Sequence, residues 1–249
     1  MGKSKELAEL GQVVSQSGGN VGIGVEPEDW YPAFDALQIG QSAAIWSQNN
    51  YDKMWLTTNT YLGADGEFKH INNAPVTAYA QFDGTHRWSY ADGGASGSNA
   101  TLSEYMRIDA SGRVTMPYQP FFKARSQSNV NISVGSQTLP FDVVDANIGG
   151  YYNGTTSTFT APVSGRYVFN VMIFRPPSTT SWSYFVLNGT LQTSIEYNDT
   201  GSNYSNRSDT FVAYLAAGDY VYMKHWSGTT HLNGTFAGPH SYFSGYLIG

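Results

Sequence analysis

Turn punctuation at short intervals is the feature that most limits how this chain can fold. Ala64-Asp65-Gly66, Asn72-Asn73-Ala74-Pro75, Phe82-Asp83-Gly84 and Asp92-Gly93-Gly94 break the first half into pieces too short for helices. Between them lie aromatic-bearing runs, Thr57 to Leu62, Val76 to Phe82 and His86 to Tyr90, which read as short strands. In the second half the alternation is sharper. Gly165 to Val171, Phe211 to Leu215, Asp219 to Trp226 and Tyr242 to Ile248 each place apolar residues at every second position, the period of a half-buried strand. The expected fold class is all-β.

Composition removes several functions. Aromatics make up 15% of the 249 residues and supply core area that a disordered chain lacks, while charged residues fall to 13%. There is no cysteine, so disulfide staples, zinc ribbons and thiol chemistry are excluded together. The net charge is −6 and no Lys/Arg cluster stands ready for phosphates, which argues against nucleic acid. No apolar run reaches the length of a membrane span, so no membrane insertion is expected. Met1 to Leu10 alternates lysine and glutamate without an apolar core and does not read as a secretory signal.

The chain divides into three parts: an attachment segment, 1–18; a β-rich fibre-type domain, 19–118; and a β-sandwich head, 119–249. Ser4 to Leu10 suits a helical turn too short to be stable alone, which needs a dock. Gly-rich Ser17 to Gly24 and the hairpin-like Met106 to Met116 bracket the second part, and Gly93 to Asn99 reads as a mobile loop. Gly22-Ile23-Gly24 is no phosphate loop, because Pro27 replaces the third glycine. Met116-Pro117-Tyr118-Gln119-Pro120 is the boundary, where two prolines interrupt strand pairing. Across it the charge changes: 7 basic and 13 acidic residues precede Tyr118, and 6 of each follow from there, giving a neutral, aromatic-rich head.

The head carries the spacing Phe141-x5-Asn147-x4-Tyr152-x6-Phe159-x5-Gly165-x-Tyr167-x-Phe169, followed by Leu215-x-x-Gly218-Asp219-x-Val221 and the closing Phe243-Ser244-Gly245-Tyr246-Leu247-Ile248. This resembles the complement C1q-like (tumour-necrosis-factor-like) globular head, with Val171 where that family prefers Phe or Tyr. The resemblance implies a jelly-roll β-sandwich assembling as a homotrimer. The residues themselves read as core packing and point to no chemistry: Tyr167 and Phe169 share one strand face, Phe159 reaches the same core, and Gly165 permits close backbone approach. In the first half, Gly19 to Gly24, Ile71 to Pro75 and Met106 to Gly112 resemble segments of bacteriophage tail fibres. Together they imply a virion protein, a tail fibre or spike, extracellular once released, that adheres to a host surface glycan or protein through its trimeric head. The first segment, Met1 to Gln16, would join other virion proteins. Two alternatives stay open, a head or tail decoration fibre with a purely structural trimeric cap and a cellular secreted C1q-like ligand.

No catalytic constellation emerges. Gly94-Ala95-Ser96-Gly97 lacks the spacing of a nucleophile elbow, and Asp142 with Asp145 reads as solvated strand-edge carboxylates. His225, His231 and His240 contain no short-spaced pair, and Asp219 stands without a dense carboxylate set, so no metal or cofactor is assigned. The expected receptor surface is the polar stretch Tyr197 to Arg207. There Tyr197 and Tyr204 offer flat apolar faces and Arg207 a charged donor; Trp182 and Trp226 rank second.

Overall fold

The structure is a computed structural model and describes residues 14–126, 130–132, 136–175, 180–198, 201–203, 205–228, 230–232 and 241–249. Every regular element among these residues is a strand, and the chain divides into two compact units, Met1–Pro117 and Tyr118–Gly249.

The first unit holds β1 (Val14–Ser17), β2 (Asn20–Ile23), β3 (Phe34–Ile39), β4 (Ala43–Gln48), β5 (Lys53–Thr58) and β6 (Thr60–Leu62). It continues with β7 (Phe68–His70), β8 (Val76–Phe82), β9 (Thr85–Ala91), β10 (Ser103–Ile108) and β11 (Val114–Thr115). Nine of these form one sheet in the order β1-β2-β3-β4-β5-β8-β9-β10-β11, and β6 pairs with β7. Local chemistry sets the hairpins. Asp83 and Gly84, at φ 51° and 68°, form the two-residue turn between β8 and β9, where the strand twist demands left-handed backbone. The Asp109 carboxylate accepts the amides of Ser111 and Arg113 at 2.9 and 3.0 Å and closes the β10–β11 hairpin.

Two expectations change here. Thr57 to Leu62 is not one strand. Asn59 adopts φ 59° between β5 and β6, and its side-chain amide bonds to the carbonyls of Asn72 and Ala74. Gly93 to Asn99 is not a free loop either. The His70 amide donates to Ser98 O at 2.9 Å, the Gly97 amide donates to His70 O at 2.8 Å, and Lys69 Nζ reaches Asn99 Oδ1 at 2.6 Å.

The two faces of this sheet differ. One is covered: Trp30, Phe34, Trp46 and Leu62 are buried together, Trp55 stacks on Trp46 at 5.1 Å, and Phe68 of β7 closes over both. The other is bare. Following the register strand by strand, Val21, Leu37, Ile45, Leu56, Tyr79, Trp88 and Met106 stand opposite one another in an unbroken apolar row.

The second unit starts with β12 (Phe121–Arg125), β13 (Val130–Ile132), β14 (Gln137–Thr138), β15 (Val143–Ile148), β16 (Tyr152–Asn153) and β17 (Thr158–Thr160). Then come β18 (Gly165–Arg175), β19 (Thr180–Leu187), β20 (Thr190–Asn198), β21 (Ser205–Leu215), β22 (Tyr220–Gly228), β23 (Thr230–Leu232) and β24 (Tyr242–Leu247). A five-stranded sheet, β15-β12-β24-β18-β21, faces a sheet ordered β16-β17-β22-β19-β20, to which β14 adds at β22. The result is a jelly-roll β-sandwich. Its core is aromatic: Phe122 stacks on Tyr152 at 4.4 Å and on Phe159 at 5.1 Å, and Phe169, Phe185 and Phe243 are wholly buried around them. A Cβ at Gly245 would come within 2.5 Å of the Phe169 ring and 2.8 Å of the Phe122 ring, so the core needs glycine there. At Gly165 an added Cβ meets Leu247 Cδ1 at 2.7 Å.

The motif residues fix this sandwich. Phe141, Tyr152, Phe159, Tyr167 and Phe169 all lie in the one core. Asn147 ties the β15–β16 turn, its Nδ2 donating to Tyr152 O at 2.8 Å and its Oδ1 accepting the Tyr152 amide at 3.1 Å. The Tyr152 hydroxyl donates to Phe141 O at 2.8 Å, and burial pushes its pKa well above that of a free phenol.

Candidate functional site

The head presents two solvent faces, one on each sheet, and they are chemically unlike. On the five-stranded sheet the register aligns Ile148, Phe121, Tyr246, Val168 and Val212 across all five strands. Val212 is 55% exposed, and Tyr214 beside it is 66% exposed. The next row mixes Lys123, Ser244, Asn170 and Thr210, the last two hydrogen-bonded at 2.9 Å. An apolar row spanning a whole sheet is costly in water and marks a contact surface.

The opposite sheet turns a line of rings outward. Strand β22 alternates buried Val221, Met223 and His225 with outward Tyr220, Tyr222, Lys224 and Trp226. Tyr220 and Tyr222 stack at 6.2 Å, and Trp226, 46% exposed, meets the edge of Tyr184 at 6.0 Å. Lys224 Nζ lies 5.7 Å from the Trp226 ring, within cation–π range. Burial, then the neighbouring Tyr220, pushes the Tyr222 phenol up from its ordinary value. Exposed rings beside hydrogen-bonding groups and one cation suit stacking on a planar or pyranose ligand.

Of the sequence-derived receptor candidates, the structure places Trp226 and half-buried Trp182 on this outer sheet, Trp182 two positions from Tyr184 on the same strand. The stretch Tyr197 to Arg207 is corrected in part. It is not a single loop, because Tyr197 falls in β20 opposite Ser181, and Arg207 falls in β21 opposite Ile173. Long antiparallel ladders draw both ends into sheets. Tyr204 and the Tyr197 side chain lie outside the described residues. Tyr184, Tyr220, Tyr222 and Lys224 were missed, although the sequence signal was present: Tyr220-Val221-Tyr222-Met223-Lys224-His225-Trp226 alternates aromatic or cationic with apolar residues.

The residues weighed for chemistry are engaged elsewhere. Asp145 pairs with Arg125 at 3.0 Å. Asp219 accepts Asn188 Nδ2 at 2.7 Å and the Ala216 amide at 2.8 Å, bonds that hold its carboxyl below the usual carboxylate range. His225 is buried, its Nε2 3.0 Å from Gly228 O, and the His231 side chain and His240 lie outside the described residues. Among the described residues no three His, Asp or Glu side chains gather as a metal site.

Sandwich, aromatic core and two contrasting faces define a jelly-roll β-sandwich head. The C1q domain family model matches residues 121–248, just over half the chain, and the chain belongs to that family. Its members are generally non-enzymatic ligand proteins. Complement C1q tumor necrosis factor-related protein 3 from Mus musculus is 30% identical over 112 residues, 43% of this chain and 43% of that protein. The Homo sapiens protein of the same name matches to the same extent, so the chain spans less than half the length of these relatives. Among solved structures, the globular domain of zebrafish complement 1qA protein is 17% identical, with a TM-score of 0.44, covering 53% of this chain and 98% of that one. Murine APRIL at pH 5.0 is 10% identical, with a TM-score of 0.39, covering 52% and 99%.

Proposed function

We propose that this chain is a non-enzymatic fibre protein whose C1q-like head assembles as a homotrimer and binds a host surface glycan or protein. The observation that carries the reading is the apolar row Ile148, Phe121, Tyr246, Val168 and Val212, which three copies would bury against one another while leaving the outer-sheet aromatics in solvent. The fold usually forms homotrimers, which supports the same assembly. The virion setting, a phage tail fibre or spike, rests on the fibre-like segments Gly19 to Gly24, Ile71 to Pro75 and Met106 to Gly112. In that setting Met1 to Gln16 joins the rest of the particle, and the protein is extracellular once released.

Native mass measurement on the full chain tests the assembly. The trimer mass is expected at micromolar concentration, and Val212→Asp with Tyr246→Asp should convert it to a folded monomer. A wild-type monomer under those conditions defeats the reading. Removal of residues 1–13, which precede β1, should leave a soluble trimer that is missing from purified virions, and full occupancy by the shortened chain rules out that attachment.

A further inference from the structure

The bare face of the nine-stranded sheet belongs to the N-terminal unit, outside the C1q-like head. Leu56, at the middle of its central row, is 49% exposed, and Ile45 beside it is 42% exposed. The row on one side continues uncharged, through Ile23, Ile39, Thr58, Thr77 and Tyr90. Asp35 and His86 fall in the row on the other side, so charge is confined to one margin. Seven strands at about 4.8 Å spacing and three rows at about 7 Å give a patch of about 29 by 14 Å, roughly 400 Å² per copy. A patch of that order falls within the roughly 300–600 Å² of the largest patch on a lone soluble domain, which is often a functional surface.

We infer that this face is a second self-association surface, on which three copies of the N-terminal unit converge through their apolar rows. The inference rests on the trimeric reading of the head. Once three heads are joined, the short Met116 to Pro120 connection holds three N-terminal units at an effective concentration of roughly millimolar order, so weak apolar contacts suffice. At roughly 400 Å² per interface the contact is smaller than a free-standing interface needs, so it forms only between units already tethered. The chemistry favours another copy over a sugar. Ile45 and Leu56 occupy the centre, where a sugar needs hydrogen-bond partners, and depletion of charge is the mark of an interface core.

The cysteine-free sequence makes the test direct. Three single-cysteine full-length chains are treated with a short bismaleimide at low concentration: Leu56→Cys on the bare face, Val212→Cys on the head, and Glu67→Cys on the exposed β6–β7 turn. Leu56→Cys is expected to give roughly ten-fold more inter-chain product than Glu67→Cys, because the tether acts on both alike and only Leu56 lies in the contact. Adding Ile45→Asp to Leu56→Cys should remove that product while native mass still reports a trimer. If Val212→Cys links and Leu56→Cys reacts freely without linking, the inference fails and the head trimer stands. If Leu56→Cys is shielded from the reagent without linking, a segment of its own chain or another ligand covers the face, and the inference again fails. If neither position links and the mass is that of a monomer, both readings fall.

Discussion

The head and the N-terminal unit use the same sheet-building chemistry and reach different degrees of completeness. In the head, two sheets cover each other's apolar faces, and among the described residues nineteen form one buried cluster. In the N-terminal unit a single sheet is covered on one side only, by two clusters of six and three buried residues, and its other side carries Leu56 and Ile45 into solvent. A closed sandwich satisfies its hydrophobic surface within one unit, whereas a half-covered sheet leaves part of that surface exposed.

The contrast breaks most readily in the core of the head. Phe122 touches four other rings, and Phe122→Ala is expected to cost about 3–5 kcal/mol, enough to abolish the head's cooperative melting transition. Calorimetry on the full chain should show that transition lost while the N-terminal one persists. The complementary measurement is on residues 119–249 alone, which should keep a β-type circular dichroism spectrum and melt cooperatively because their core is self-contained. Gly245→Ala tests packing more gently: the added methyl group meets the Phe169 and Phe122 rings, for an expected loss of about 1–3 kcal/mol by denaturant titration.

The outer-sheet aromatics sharpen the comparison from the functional side. Tyr222→Ala with Trp226→Ala removes two outward rings, so the head's melting temperature should barely move. Host-cell adsorption should fall by at least the roughly 30-fold that about 2 kcal/mol represents, with further loss through three-fold avidity. Normal adsorption by this variant would favour the purely structural cap. The smallest effect belongs to the β10–β11 turn. The Arg113 amide and guanidinium, with the Ser111 amide, hold the Asp109 carboxyl below its ordinary pKa. A depressed carboxylate stabilises the fold fully above the unfolded-state value and loses that contribution as pH falls through the folded one. Amide exchange at Ser111 and Arg113 should therefore be unchanged between pH 7 and 5 and quicken, relative to intrinsic rates, only below about pH 4.

Much of the head was legible because its signature lies in spacing along single strands and turns. Phe159, Tyr167 and Phe169 converge in the structure on the core that the period-two pattern assigns them. Of the outer-sheet ring line the sequence singles out only Trp226 and Trp182; Tyr220, Tyr222 and Lys224 stay hidden, since an exposed aromatic alternation looks like any half-buried strand until the opposite face is located. The Tyr197 to Arg207 stretch misled for the converse reason. Its polar, turn-forming composition hid the fact that both ends belong to the long strands β20 and β21.

By itself the sequence determined the all-β class, the hairpin turns at Asp83-Gly84 and Asp109 to Arg113, and the aromatic residues that fill the head. Each of these depends on backbone preference or side-chain period within a few residues. The tertiary structure alone decided which strands are neighbours: β5 passes over β6 and β7 to pair with β8, and β2 lies parallel to β3. That choice lines up Ile45 with Leu56 and Tyr79, and Tyr246 with Val168 and Val212, as continuous apolar rows. The period-two pattern says which residues of one strand share a face. Only cross-strand hydrogen bonding between segments far apart in the chain fixes which faces join into a surface.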